Sequence, residues 1–384
     1  DLSMQHTLFI IFGTRPEAIK MAPVVHELQR RGAFRVVTCL TGQHREMLDQ
    51  VLRVFDVVPD VDLGLMEEDQ TLSSFTARAV SALGDYLSER RPNLVIVQGD
   101  TTRTFCAALV AFYNHIPVAH VEAGLRTWRK DIPFPEEMNR VLTSRLTDVH
   151  FAPTETARQN LLKEGVSAER IFVTGNTVID ALLYAVKEVR ALPPEIPGLP
   201  PQLMDSKNRR KMVLITGHRR ESFGKGFQSI CEAIAELATR FQDVDFVYPV
   251  HLNPNVRQPV FQLLSGKDNI FLIEPQEYLP FVALMDRCTL ILTDSGGIQE
   301  EAPSLGKPVL VMREVTERPE GIEAGCVALV GVDRTKIVEG VSCVLSDQDL
   351  YKHMSKTKNP YGDGKASNKI IQILLEAFNG RIPF

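Results

Sequence analysis

Short apolar runs alternate with longer amphipathic segments along almost the whole chain. Residues 8–12, 94–97 and 290–293 are typical of the apolar runs, and residues 18–30 and 72–90 of the helical segments. Strands that are apolar throughout are buried on both faces of a sheet, and the helices between them form the crossovers that join parallel strands. The pattern therefore predicts an α/β protein with parallel sheets.

A proline-rich stretch interrupts this alternation near the middle of the chain. Residues 191–208 contain five prolines, which neither a helix interior nor a central strand accommodates. The strand and helix pattern then begins again. We therefore predict two domains, residues 4–190 and 209–364, joined by a linker at 191–208. A closing helical segment, 365–384, is expected to pack back onto the first domain.

Composition limits the kinds of function that this chain can have. Its 43 Lys and Arg against 48 Asp and Glu give a net charge of -5, without the basic field of nucleic-acid-binding proteins. No apolar stretch approaches the roughly 18–20 residues of a membrane span, and the six cysteines lack the spacing of a zinc site. We expect a cytoplasmic protein that binds no nucleic acid, membrane or metal.

Titratable residues follow several strands of the first predicted domain. Arg15 and Lys20 come after the first strand, Asp100 and Glu122 come directly after two later strands, and Glu136 follows a loop. Ligands of open α/β sheets bind beyond the carboxyl ends of the strands. The carboxylates could therefore act as general acid and base in one cleft, and the cations could bind an anion. The plainer interpretation is a set of helix caps and surface ion pairs.

The second predicted domain carries a candidate anion site. His218 follows a strand within a run of basic residues, and Ser295, Gly296 and Gly297 open a helix directly after another strand. Small residues let a phosphate approach backbone N–H groups, although a tight turn without a ligand would account for the same three residues. The chain contains neither a P-loop nor a dinucleotide-binding fingerprint. ATPase activity and dinucleotide-dependent redox chemistry are therefore disfavoured, and no cofactor is expected.

Longer motifs stand at these positions: GTRPEAIKMAP at 13–23, VEAGLR at 121–126, YPVHLNPNV at 248–256 and TDSGGIQEEAPSLGKP at 293–308. They resemble motifs of the bacterial non-hydrolysing UDP-N-acetylglucosamine 2-epimerases, and the resemblance extends from about residue 8 to 378. It implies two Rossmann-like domains with a ligand cleft between them, as in B-type glycosyltransferases. It also implies reversible, cofactor-free conversion of UDP-N-acetylglucosamine (UDP-GlcNAc) to UDP-N-acetylmannosamine (UDP-ManNAc), by elimination of UDP to 2-acetamidoglucal and re-addition.

The resemblance also suggests roles for individual residues. Asp100, Glu122 and Glu136 match the acid/base carboxylates, and His218 matches a group that stabilises the leaving diphosphate. The residues that match substrate contacts are Gln276 and Phe281 for uracil, Glu301 for ribose, and Arg15, Lys20, Ser295, Gly296, Gly297 and Arg318 for the remaining substrate and phosphate contacts.

Some relatives bind a second UDP-GlcNAc as an activator, and Gln43 and His44 match residues of that site. This chain has Glu46 and Asp69 where those relatives carry Gln and Arg. Because a carboxylate near a pyrophosphate repels it, this departure argues against activation at the second site.

The resemblance further implies a homodimer whose product enters polysaccharide biosynthesis, with UDP-GlcNAc, UDP-ManNAc and UDP as its ligands. Two other functions stay open. A glycosyltransferase of the same fold would use a UDP-sugar donor and would need an acceptor. A non-catalytic nucleotide-sugar sensor would bind UDP-GlcNAc and leave it unchanged, but such a function gives no reason to gather three carboxylates.

Overall fold

The computed structural model describes residues 5–42 and 45–384, with the backbone alone of Arg45. The chain divides into two compact units. The first contains the chain up to Ala181 together with Gly362–Phe384, and the second contains Leu182–Tyr361. Each unit is built around one parallel sheet, which confirms the predicted fold class. The domain boundaries at residues 190 and 364 and the linker at 191–208 stay predictions from the sequence.

The first unit contains a seven-stranded sheet in the order β3-β2-β1-β4-β5-β6-β7, and every pair of neighbours is parallel. Most of its side chains are buried because helices cover both faces. The strands are β1 Thr7–Phe12, β2 Arg35–Leu40, β3 Val61–Asp62, β4 Leu94–Gln98, β5 Val118–Val121, β6 Val149–Ala152 and β7 Ile171–Val173.

The second unit contains a six-stranded parallel sheet in the order β10-β9-β8-β11-β12-β13. The strands are β8 Lys211–Thr216, β9 Val244–Pro249, β10 Ile270–Ile273, β11 Leu290–Thr293, β12 Val309–Val311 and β13 Val327–Leu329. The sequence pattern missed β3 and β13. β3 has only two residues, which are too few to show an apolar run.

Fifteen α-helices are present among the described residues, numbered in chain order. They are α1 Arg15–Arg31, α2 Arg45–Val54, α3 Leu72–Arg90, α4 Thr102–Tyr113, α5 Glu136–Leu146, α6 Glu155–Lys163, α7 Thr177–Ala191, α8 Lys225–Arg240, α9 Pro254–Leu264, α10 Tyr278–Arg287, α11 Gly296–Glu301, α12 Pro319–Ala324, α13 Arg334–Ser346, α14 Gln348–Lys356 and α15 Ala366–Phe378. None of these described helices is long and apolar enough to cross a membrane.

The closing helix α15 packs against α1 within the first unit. The Asp180 carboxylate accepts hydrogen bonds from the backbone N–H groups of Ala366 (3.2 Å) and Ser367 (2.8 Å) at the start of α15. Arg31, at the end of α1, donates to the Asn368 side chain at 2.7 Å. The two bonds to Asp180 satisfy backbone N–H groups that no residue within the helix can bind, so they fix where α15 begins.

The order of the strands determines where a ligand site can form. In the first sheet β1 lies between β2 and β4, and in the second β8 lies between β9 and β11. The crossovers therefore reverse direction beside β1 and beside β8. The carboxyl ends of strands at such a reversal leave a crevice between the loops that follow them. The loops after β1, β4 and β5, and those after β8 and β11, accordingly carry most of the candidate site residues.

Gly124, just after β5, combines a left-handed backbone conformation with close packing, and both disfavour a side chain at this position. Its φ is +92°, and a Cβ atom there would lie 2.3 Å from the carbonyl oxygen of Ala157 on α6. We expect Gly124→Ala to lower the free energy of unfolding by more than the left-handed backbone strain, which alone costs about 1–2 kcal/mol. Gly165→Ala is the control, since its φ is +86° and, apart from its chain neighbours, no described residue has an atom within 4 Å of the new Cβ. Equal losses of thermal stability would contradict the steric argument.

Candidate active site

A pocket of about 410 Å³ opens at the carboxyl edge of the first sheet. The loops after β1, β4 and β5 form most of its wall, as expected for a strand-order reversal. Four residues predicted from the sequence line it: Arg15, Lys20, Asp100 and Glu122. The structure therefore brings two of the predicted carboxylates and two of the predicted cations together within one unit.

Glu122 is held by side chains from two other segments. The ammonium Nζ of Lys20 lies 2.7 Å from Glu122 Oε2, and the Asn176 side-chain amide donates to the same oxygen at 3.0 Å. The backbone of Glu122 has a φ of +64°. A left-handed glutamate is uncommon, and such residues cluster at functional sites. Glu122 is thus fixed in both backbone and side chain at the pocket wall.

Asp100 has a different environment. Arg140 Nη2 on α5 lies 3.2 Å from Asp100 Oδ2. Burial nevertheless raises the pKa of Asp100 to about 6, because the loss of water outweighs the opposing effect of Arg140. The charge of Glu122 raises this pKa further, and that of Lys20 lowers it. Asp100 therefore changes its protonation state near neutral pH, as suits a group that both accepts and donates a proton.

Glu136 and Glu137 open α5, and the structure separates their roles. Glu136 is half-buried, and its charge also raises the pKa of Asp100, so it lies within electrostatic reach of that carboxyl. Glu137 is buried and accepts hydrogen bonds from the backbone N–H (2.9 Å) and hydroxyl (2.7 Å) of Thr127. Glu137 thus anchors the loop before α5, whereas the charge of Glu136 acts on Asp100.

Glu17, which the sequence analysis did not select, joins two of the pocket loops. One carboxylate oxygen accepts from the backbone N–H groups of Gly13 (2.9 Å) and Thr14 (2.7 Å), forming a capping box at the start of α1. The other accepts from the Thr101 hydroxyl at 2.7 Å. Thr101 follows Asp100, so a single buried carboxylate fixes both the loop after β1 and the loop after β4.

A second pocket, of about 510 Å³, lies at the carboxyl edge of the second sheet. His218, Arg219 and Ser295 are among the residues that line it. The buried carboxylate of Asp294 accepts from the backbone N–H groups of His218 (2.8 Å) and Arg219 (2.9 Å). The His218 ring also stacks on His251, with ring centroids 5.3 Å apart. The loop after β8 is thereby fixed with its basic side chains at the pocket.

The predicted phosphate-binding segment begins α11 in this unit. Gly296 leaves room for the guanidinium of Arg318, since a Cβ atom there would lie 2.2 Å from Arg318 Nη1. Arg318 also donates to Glu300 at 2.6 Å. The Glu301 side chain lies close to Gly297: its Oε1 is 3.6 Å from the position that a Cβ atom on that glycine would take. Arg318, Gly297 and Glu301 therefore lie around the start of α11, with Ser295 directly before it.

The two residues predicted for the uracil pocket lie at and before α10. Phe281 is half-buried on that helix. The Gln276 side-chain amide donates to the backbone carbonyl of Glu274 at 2.7 Å, and its buried Oε1 has no hydrogen-bond partner among the described residues. A buried acceptor without a donor costs free energy. A ligand N–H at this position would remove that cost.

Two further predictions concern other parts of the chain. Gln43 and His44, proposed for a second ligand site, lie outside the described residues. Within residues 5–42 and 45–384, no three His, Cys, Asp or Glu side chains are grouped so that they could hold a metal ion.

Comparison with known proteins identifies the family. The family model described as UDP-N-acetylglucosamine 2-epimerase matches residues 26–375. The chain belongs to this family. The UDP-N-acetylglucosamine 2-epimerase of Escherichia coli (strain K12) is 57% identical over 367 residues, covering 95% of this chain and 97% of that protein. The resemblance inferred from the motifs and the prediction of an epimerase, an isomerase, are both confirmed.

Solved structures of family members have the same fold. The crystal structure of the Neisseria meningitidis UDP-GlcNAc 2-epimerase bound to UDP-GlcNAc matches with a TM-score of 0.85 and 49% identity, covering 96% of this chain and 100% of that one. The Methanocaldococcus jannaschii enzyme in complex with UDP-GlcNAc and UDP matches with a TM-score of 0.75 and 34% identity, covering 96% and 99%.

Arg140 provides a direct test of the electrostatics around Asp100. Its guanidinium lowers the pKa of Asp100, so Arg140→Gln should raise that pKa above its value of about 6. Carbon-13 NMR of labelled carboxyl groups measures this, with the Asp100 signal identified by its loss in Asp100→Asn. Arg158→Gln is the control, because Arg158 pairs with Glu155 on α6. If Arg140→Gln left the pKa of Asp100 unchanged, Arg140 would not be the cation that lowers it.

Proposed function

We propose that this protein interconverts UDP-GlcNAc and UDP-ManNAc by inverting carbon 2 of the sugar. The family to which the chain belongs supports the substrate class, as does the bound UDP-GlcNAc of the Neisseria meningitidis relative. The observation that carries the proposal is the pairing of Asp100 and Glu122 in one pocket wall, with Asp100 titrating near pH 6. Two such carboxyl groups can accept and return one proton.

The chemistry follows from the weak acidity of the proton on carbon 2, which no neighbouring carbonyl activates. A carboxylate removes this proton while the bond between carbon 1 and the UDP oxygen breaks. The electron pair of the C–H bond forms the double bond of 2-acetamidoglucal, and UDP leaves with the electrons of the C–O bond. Re-addition of UDP to carbon 1, with a proton delivered to the opposite face of carbon 2, completes the inversion. Atoms and electrons balance without an oxidant or cofactor.

Two of the three carboxyl groups must act, one on each face of the ring. One must be ionised and the other protonated when the reaction begins. Asp100 meets either requirement near neutral pH, because its pKa is about 6. Lys20 forms an ion pair with Glu122, and such a cation stabilises negative charge in the pocket. Arg15, in the same wall, adds a second cation for the transition state.

The second unit supplies the nucleotide-binding groups in this proposal. Arg318 and the segment Ser295–Gly297 bind the diphosphate, and His218 stabilises the charge that develops when UDP leaves. Glu301 binds the ribose, and Gln276 with Phe281 binds uracil. The unpartnered Gln276 Oε1 supports this last assignment, since uracil offers an N–H donor. We further propose that the enzyme is a cytoplasmic homodimer whose product enters polysaccharide biosynthesis.

Incubation in deuterium oxide tests the reaction itself. With UDP-GlcNAc as the only substrate, the UDP-ManNAc that forms should carry deuterium at carbon 2, because a solvent-exchangeable carboxyl group returns the proton. The reverse reaction should then introduce deuterium into UDP-GlcNAc. Proton NMR of the sugar ring measures the exchange. Epimerisation without exchange would contradict the proposed route. Turnover only after an acceptor is added would indicate a glycosyltransferase, and binding without any change would indicate a sensor.

Asp100→Asn tests the role of the pocket carboxylates. Since the amide cannot exchange the proton, we expect turnover to fall by roughly 10²–10⁴, as is typical of acid–base groups, while UDP binding stays largely intact. Initial rates and calorimetric titration with UDP measure the two effects. Asp85→Asn, on the exposed part of α3, is the matched control and should keep full turnover. Wild-type turnover in Asp100→Asn would remove Asp100 from the mechanism.

A further inference from the structure

Two buried histidines lie side by side on neighbouring strands of the first sheet. His120 on β5 and His150 on β6 are partners in the strand register, and they are 0% and 1% exposed. Burial lowers the pKa of His120 to about 4 and that of His150 to about 3. Both rings are therefore neutral at physiological pH, and neither Nδ1 atom has a hydrogen-bond partner among the described residues.

The two rings have different hydrogen-bond partners. His120 Nε2 lies 2.7 Å from the carbonyl oxygen of Gly99. Because a carbonyl oxygen can only accept, a neutral His120 must carry its proton on Nε2 and donate it. His150 instead faces the backbone of Thr147, after the end of α5. The two histidines are therefore equally buried but bond to different residues, so one can serve as a control for the other.

The bond from His120 completes a clamp on the peptide before Asp100. The N–H of Gly99 donates to the carbonyl of Val121 at 3.0 Å, and the carbonyl of Gly99 accepts from His120. Both polar groups of Gly99 are therefore bound by β5. Gly99 has a φ of +75°, and among the described residues other than its chain neighbours no atom lies within 4 Å of the position that a Cβ atom would take there. The two hydrogen bonds to β5 therefore help to hold this left-handed conformation.

The clamp also connects the segments that carry two of the predicted catalytic carboxylates. Gly99 directly precedes Asp100, and His120 lies two residues before Glu122. We propose that His120 is a positioning residue that sets the orientation of the Asp100 side chain through the Gly99 carbonyl. This inference rests on the function proposed above for Asp100. Without the imidazole donor, the buried carbonyl would lack a partner, and the glycine peptide would rotate to find one.

Three variants test this inference. His120→Leu removes the donor, and we expect kcat to fall about 10²-fold, as for a small displacement of a reacting group, with KM little changed. His120→Gln places an amide N–H where Nε2 lies and should recover most of that loss. His150→Leu is the matched control, since it places the same buried leucine on the next strand. It should keep kcat within about threefold of wild type, because the partner of His150 is the backbone of Thr147 rather than a pocket residue.

The titration of Asp100 separates positioning from general damage to the core. Arg140, Glu122, Lys20 and Glu136 act on the charge of Asp100 and are present in every variant. A rotated Asp100 changes its distances to these groups, so its carbon-13 titration should shift in His120→Leu and stay in place in His150→Leu. Wild-type kcat with an unshifted titration in His120→Leu would overturn the inference. Equal losses in His120→Leu and His150→Leu would also overturn it.

The tautomer of His120 gives a measurement that needs no folded variant. Nitrogen-15 NMR of the histidine-labelled wild-type protein should show a neutral ring protonated at Nε2 between pH 6 and 8, the range above its pKa of about 4. A ring protonated at Nδ1, or a charged ring, would overturn the inference. If wild type and His150→Leu leave UDP-GlcNAc unchanged, the proposed function fails, whereas the tautomer and the Asp100 titration still decide the role of His120.

Discussion

Mutual repulsion between carboxylates is the constraint on which the first pocket depends. Asp100 and Glu122 share one wall, and Glu136 adds a third negative charge within reach. Each of the first two has its own cation: Lys20 lies 2.7 Å from Glu122 and Arg140 lies 3.2 Å from Asp100. The pairing is unequal, because burial still raises the pKa of Asp100 to about 6. Neighbouring acids in unlike environments are the arrangement by which one site can both remove and deliver a proton.

Buried side chains from other segments of the first unit hold these acids in place. Glu17 joins the loops after β1 and β4, Asn176 bonds to Glu122, and His120 holds the Gly99 carbonyl before Asp100. Each is a buried polar side chain with a hydrogen bond to a pocket loop. Buried polar groups are costly unless they are bonded, so these contacts resist small movements of the loops. Geometry held in this way lowers the cost of orienting a substrate.

The sequence predicted the sheets and the acids better than it predicted their supports. Long strands such as β1 and β8 appear in the sequence as apolar runs. The polar residues that follow these runs could therefore be placed at the carboxyl edge of a sheet. Arg140 and Asn176 lie on or before helices far from Asp100 and Glu122 in the chain, so only the folded structure could bring them close. Likewise, adjacent Glu136 and Glu137 read alike in the sequence, and only the bonds from Thr127 distinguish the buried one.

Cleavage of the bond between carbon 1 and the UDP oxygen is the central claim, since without it the pocket carboxylates cannot form the glucal. An oxygen-18 label in that bridging position tests it most directly. If UDP leaves and returns, phosphorus-31 NMR should show the label spreading to the non-bridging oxygens of the β-phosphate while UDP-GlcNAc and UDP-ManNAc interconvert. Epimerised product that keeps the whole label in the bridge would contradict the account.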